Sequence, residues 1–177
     1  MKLLIKWKRA LNKSNNLTLH IMSKQEQNLL TKRETVFSRL VDAPRELVYE
    51  AWTKPEHIGV WFGPEGFTTT THHMDVRPGG EWDFIMHGPD GRDYPNKIVY
   101  AETVRPEKLV YRQSGDGFLF NFYVEVTFDD ENGKTWVTMR SVFESEDDLK
   151  KVVEEYGAFE GGKQNIERMK AYLKKMQ

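Results

Sequence analysis

A chain of 177 residues suits one domain and can bury about 70% of the surface its unfolded form exposes, so its core needs no staples. It has no cysteine, which excludes disulfides, thiolate zinc sites and thiol nucleophiles and is compatible with a reducing cytoplasm, the expected location. A formal net charge of −1 and the lack of any run near the roughly 18–20 apolar residues of a membrane span predict no nucleic-acid partner and no stable membrane insertion.

Residues 1–21 hold Lys2, Lys6, Lys8, Arg9 and Lys13 and no acid. Without these five cations the remainder has 21 basic and 27 acidic residues, net −6. Leu3, Leu4, Trp7 and Leu11 can share a helical face opposite the cations, a pattern that suits an anionic membrane surface. Charges at 6, 8 and 9 interrupt any secretory apolar run. The plainer reading is a flexible basic extension over 1–33, or an upstream segment before a natural start at Met22, followed by a single domain over 34–177.

The stretch 34–41 alternates Val36, Ser38 and Leu40 against Phe37, Arg39 and Val41, which predicts a first strand. Pro44 suits the first turn of a helix with Leu47, Val48 and Ala51 as its apolar stripe. Pro55 opens a second short helix, and Gly63-Pro64 stops it.

From 67 to 145 the period is two. Six strands are predicted, over 67–77, 80–87, 93–104, 107–114, 118–129 and 134–144. The links between them are short, and most are rich in Gly, Pro, Asp or Asn, as suits antiparallel neighbours. In "EWDFIMHGPDGRDY" (81–94), Trp82, Phe84 and Met86 take one side of a strand that ends at a Pro-Asp-Gly turn. In 118–128, Phe118, Phe120, Phe122, Val124, Val126 and Phe128 share a face, so a one-residue slip would expose them all.

After 145 the period becomes helical. Asp147-Asp148 suit an N-terminus, and Leu149, Val152, Val153 and Tyr156 share a face. Gly157, Gly161 and Gly162 interrupt, and then Ile166, Met169, Leu173 and Met176 recur at helical spacing. A helix over 158–175 is about 27 Å long, the length of an eight-residue strand, so it can span a sheet. The order is α+β: one curved antiparallel sheet of seven strands wrapped on a long C-terminal helix, with two short helices after the first strand. A lone helix covers only part of such a sheet. The concave face therefore keeps apolar area for side chains or a guest to cover.

Four stretches carry a family resemblance: "DAPRELVYEAWTKPEHIGVWFGPEGF" (42–67), "DVRPGGEWDFIMHGPDG" (75–91), "VRPEKLVY" (104–111) and "FEGGKQNIERMKAYL" (159–173). In this order they resemble the activator-of-heat-shock-protein-90-ATPase homologues, the Aha-type branch of the START-like (SRPBCC, polyketide-cyclase-like) superfamily, over roughly 34–175. The resemblance implies a helix-grip fold with a cavity between sheet and C-terminal helix. Members with this fold bind lipids, sterols or plant hormones, shape polyketide rings, or stimulate a chaperone. The eukaryotic activators carry a large extra N-terminal domain, whereas about 33 residues precede the fold here.

On this basis the residues expected to line the cavity are Trp82, Phe84, Met86, Phe120, Phe122, Met139, Phe143, Phe159 and Met169, with hydroxyls from Tyr100, Tyr111 and Tyr156. Ordinary core packing is the competing reading of the same alternation. Trp61 and Phe62 either guard the cavity mouth or cap the open end of the sheet.

His72-His73 cannot chelate one ion, because adjacent strand residues point to opposite faces, and no metal site is expected. No nucleophile elbow or phosphate loop occurs, so no catalytic residue and no cofactor is assigned. Lys163, Arg168, Lys170, Lys174 and Lys175 read as a solvated basic face. The leading expectation is a cytoplasmic binder of a small hydrophobic molecule, lipid-like or aromatic, as monomer or homodimer. The alternatives are a chaperone-contacting module and a cyclase, dehydratase or hydrolase of a bulky ring substrate.

Overall fold

The computed structural model describes residues 32–114, 121–156 and 158–177, with side-chain surroundings omitted at 114, 155, 156, 158 and 159. Of the N-terminal extension over 1–33, only Lys32 and Arg33 fall within these spans. Among the described residues there are seven strands and four helices. The strands are β1 (Glu34–Val41), β2 (Thr68–Met74), β3 (Glu81–His87), β4 (Asp93–Val104), β5 (Lys108–Ser114), β6 (Phe122–Glu131) and β7 (Lys134–Phe143). The helices are α1 (Arg45–Thr53), α2 (Pro55–Trp61), α3 (Glu146–Tyr156) and α4 (Ala158–Met176). They form one antiparallel sheet in the order β1-β7-β6-β5-β4-β3-β2, the helix-grip arrangement expected from the sequence.

Local chemistry sets the boundaries. Proline disfavours the α region for the residue before it, so Pro55 holds Lys54 extended (φ −109°, ψ 129°). That residue ends α1 and caps α2 at once. Asn132 and Gly133 both have positive φ, as a tight hairpin between β6 and β7 requires. The described part of β6 begins at Phe122, and residues 118–120 of the expected strand lie outside the described residues. The β2 register shifts between Thr71 and His73, so that strand is shorter than 67–77 and bulged. The helical tail comes in two pieces, α3 and α4.

The strand alternation survives intact in the core. Trp82 and Phe84 on β3, Val124, Val126 and Phe128 on β6, and Val137 and Met139 on β7 are buried on the concave side. Ile166, Met169 and Leu173 of α4 meet them. Trp52 Nε1 donates to Met169 Sδ at 3.0 Å and ties α1 to α4. The convex face is polar where it is wet. There Arg140 bonds Glu34 at 2.6–2.7 Å, and Ser38 meets Thr138 at 2.9 Å. Val110 is buried on this face beneath Ala101 and Tyr123.

Candidate functional site

The concave face divides into two unlike halves. On the β2–β3 side it is filled by rings. Trp82 and Phe84 are next neighbours on one side of β3, and their rings stack at 3.9 Å. Phe62 lies edge-on to both, at 4.9 and 5.5 Å. Trp61 stands edge-on to Trp52 at 4.9 Å, and Trp52 to Phe128 at 6.0 Å. Such edge-to-face pairs add about 0.5–1.5 kcal/mol each to plain burial.

Trp61 and Phe62 are only 1% and 6% exposed, the burial of a cap packed into the sheet's open end. The cap is fastened from outside. Arg168 of α4 donates through Nη1 to Gly63 O at 2.8 Å and Pro64 O at 2.7 Å, and through Nη2 to Val60 O at 3.3 Å. Asn165 Oδ1 accepts from Gly63 N–H, and Gln164 Oε1 from Glu65 N–H, both at 3.0 Å. Gly63 has φ +117°, which lets its carbonyl and N–H meet two different α4 side chains. Arg168 therefore does not belong to a solvated basic face. Partial burial lowers its pKa, and the carbonyls of the α2–β2 loop take its hydrogen bonds.

The other half is built from β4, β5, β6 and β7 and is more polar. Tyr100 faces Tyr111 across the β4–β5 pair, with ring centroids 6.1 Å apart. Both are 3% exposed. Next to them Gln113 Nε2 donates to Asn96 Oδ1 at 3.0 Å, and Asn96 Nδ2 donates to Tyr94 O at 2.8 Å. Burial pushes the phenols of Tyr100 and Tyr111 far above the ordinary range, so they stay protonated and act as hydrogen-bonding groups. Among the described residues no Asp, Glu, His, Lys or Arg is fully buried; the buried polar side chains are Asn96, Gln113, Thr135 and Ser141.

Met86 and Phe122 are half-buried, toward the end of the sheet opposite α1. Phe122 stacks on Phe143 at 4.9 Å, and Phe143 is buried beneath Val152 of α3. Met139 and Met169 are buried in the main core. Phe120, and the side chains of Tyr156 and Phe159, lie outside the described residues. His72 and His73 are exposed at the β2 bulge. Among the described residues no three potential metal ligands stand together.

Sequence reasoning missed Tyr49, Asn96, Gln113 and Arg168. Strand parity with Tyr100 and Tyr111 was enough to place Asn96 and Gln113 inward. Nothing in the pattern of α4 marks Arg168; the only hint is the free carbonyls a helix leaves where Gly63-Pro64 stops it.

The model of the family described as "Activator of Hsp90 ATPase homolog 1-like protein" matches residues 42–174. The chain belongs to this family. Solved structures of similar chains agree on the fold. A protein from Arthrobacter aurescens, solved by NMR, has a TM-score of 0.77 at 24% identity, over 82% of this chain and 88% of that one. A protein from Rhodobacter sphaeroides gives 0.73 at 18% identity, over 82% and 95%. The AHSA1-like protein from Aeromonas hydrophila gives 0.62 at 22% identity, over 80% and 94%. No curated protein matches the chain. The family assignment covers the cap, both halves of the concave face and nearly all of α4. Among the described residues no helix is long and apolar enough to cross a membrane.

Proposed function

We propose that this family member binds a small, largely hydrophobic molecule between the concave face and α4, with no chemistry performed on it. The observation that carries the reading is where α4 runs. It lies close to β1, α1, α2 and α3. Toward the central strands it is packed through side chains, with Ile166, Met169 and Leu173 in one apolar core with the concave face. The ring-filled half does so with Phe62, Trp82 and Phe84. The other half sets Tyr100, Tyr111, Met139 and two amides among smaller aliphatic side chains such as Val124, Val126 and Val137, and it leads to half-buried Met86 and Phe122. An apolar wall with a few polar groups is the usual make-up of a ligand site. Met86, Met139 and Met169 let such a wall adapt.

The test is native mass spectrometry of gently purified protein beside its denatured mass. A bound mass that leaves on denaturation, or stoichiometric uptake of Nile red by the apo protein, is the expected result. A clean apo mass together with no uptake of the dye overturns the reading.

A second reading, contact with a chaperone or another protein, is favoured by one feature. Val36, Leu40 and Trp136 are 53%, 37% and 38% exposed on the convex face at the β1 edge, and Leu40 sits directly opposite Trp136. Stimulation of an Hsp90-type ATPase that is lost in Leu40→Ser would support it. The absence of any stimulation would remove it.

A further inference from the structure

Tyr100 of β4 and Tyr111 of β5 are paired inside this domain with ring centroids 6.1 Å apart, and Tyr49 of α1 is buried in the same core. They are 3%, 3% and 6% exposed. Tyr49 and Tyr111 are both near enough to Tyr100 to oppose its ionisation. None of the three hydroxyls has a hydrogen-bond partner among the described residues. A buried hydroxyl with no partner is costly, and a core needing only bulk at these points is better served by phenylalanine. Nor are the hydroxyls sealed in by protein. Among the described residues the fully enclosed side-chain polar atom without a partner is Arg45 Nε, and no phenol oxygen shares that condition. Each phenol oxygen thus keeps some surface that water can reach, and a ligand oxygen could take the place of that water. The neighbouring amides of Asn96 and Gln113 bond to each other and to Tyr94 O, which leaves the phenols as the groups still owed a partner.

Charge narrows the class. No fully buried side chain among the described residues is ionisable other than tyrosine, so a ligand's carboxylate or ammonium would meet no counter-charge in the core. Arg105 acts on Tyr49 electrostatically, but it stands on the exposed turn after β4.

Resting on the ligand-binding reading above, we propose that the hydroxyls of Tyr49, Tyr100 and Tyr111 form a hydrogen-bonding subsite for an uncharged ligand, one whose apolar body carries a carbonyl or hydroxyl oxygen. The phenols donate to that oxygen, and the rings and methionines enclose the rest.

Three probes of similar size separate the possibilities by calorimetric titration of the full chain: 2-acetylnaphthalene, 2-ethylnaphthalene and 2-naphthoate. Acetylnaphthalene is expected to bind about tenfold more tightly than either of the others, the worth of one or two net hydrogen bonds. In the Tyr100→Phe/Tyr111→Phe variant that preference should fall to about twofold or less, with ethylnaphthalene binding unchanged, because the isosteric rings keep the apolar wall. Tyr49→Phe should reduce the preference in part. If ethylnaphthalene binds and acetylnaphthalene binds no better, this subsite is refuted and the apolar pocket stands. Tightest binding by naphthoate also refutes it, in favour of an anion site. If none of the three binds, both this subsite and the ligand-binding reading fall.

Discussion

Replacing Arg168 with methionine tests whether α4 holds the aromatic cap in place. The substitution keeps a long apolar stem and removes the guanidinium. Two short bonds are lost, to Gly63 O at 2.8 Å and Pro64 O at 2.7 Å, and one longer one, to Val60 O at 3.3 Å. A hydrogen bond to a charged group is worth about 1.5–3 kcal/mol net, so the two short ones set an upper range of roughly 3–6 kcal/mol. The site is part-buried, and water can reach the freed carbonyls, which brings the expected loss down to about 2–3 kcal/mol. At about 2–4 °C per kcal/mol for a domain of this size, the melting point should drop by roughly 4–12 °C. The assay is urea unfolding followed by tryptophan fluorescence, with an unchanged m-value required so that midpoints report stability alone. Lys170→Met is the internal control. Two residues further along the same helix, Lys170 bonds only Glu167, at 3.1 and 3.3 Å on the surface, and its loss should cost no more than about 0.5 kcal/mol. If the Arg168 variant lies within about 0.5 kcal/mol of the parent, or matches the Lys170 variant, the reasoning fails.

The adjacent glycines of α4 should respond with opposite signs to alanine in thermal melts. At Gly162 a Cβ would stand 2.9 Å from Phe37 Cε2, a buried ring with nowhere to go, and a loss of about 1–3 kcal/mol is expected. At Gly161 the nearest atom is Pro64 Cγ at 3.4 Å, so the gain in helix propensity should show through at about 0.5–1 kcal/mol. Gln113→Met should cost about 1–3 kcal/mol in urea, because Asn96 Oδ1 loses its donor inside the core. A cost of nearly zero would mean that water replaces the amide.

Glu125 supplies a pH test. Desolvation raises its pKa above the ordinary carboxylate value, against the opposing pull of Arg140 and Lys108. A folded pKa above the unfolded one means that its contribution to stability is largest below about 4.5 and is lost as pH rises through the folded value. Glu125→Gln should therefore gain on the parent between pH 4 and pH 7. A gap that stays flat or narrows with pH would contradict that assignment.

Most of the architecture was readable because it rests on periodicity, a local property. Alternation over 81–87 and 134–143 placed Trp82, Phe84 and Met139 inward, and a 3–4–3 spacing in α4 placed Ile166, Met169 and Leu173 against them. Proline at 55 and the Gly63-Pro64 pair fixed the ends of the short helices through constraints one residue long. What periodicity could not deliver was anything set by a single long-range bond. The β2 bulge depends on its pairing with β3.

The candidate site shows the same divide more sharply. The large rings are legible as inward-facing, yet their type does not say whether they fill space or enclose it. Trp61 and Phe62 are buried, and Arg168, 105 residues from Gly63, ties their loop to α4. Tyr100 and Tyr111 were legible as polar handles on an apolar wall, but the nearness of Tyr49 depends on α1 folding back onto β6 and β7, and no short window contains that. Residues that bulk alone explains, such as Phe84 or Met169, therefore carry little functional information even when fully buried. Polar atoms that fold inward and find no protein partner carry much more, because packing gives no reason for them. By that measure the proposed ligand subsite belongs to the β4–β5 half of the concave face, and not to the more conspicuous aromatic cluster beside β3.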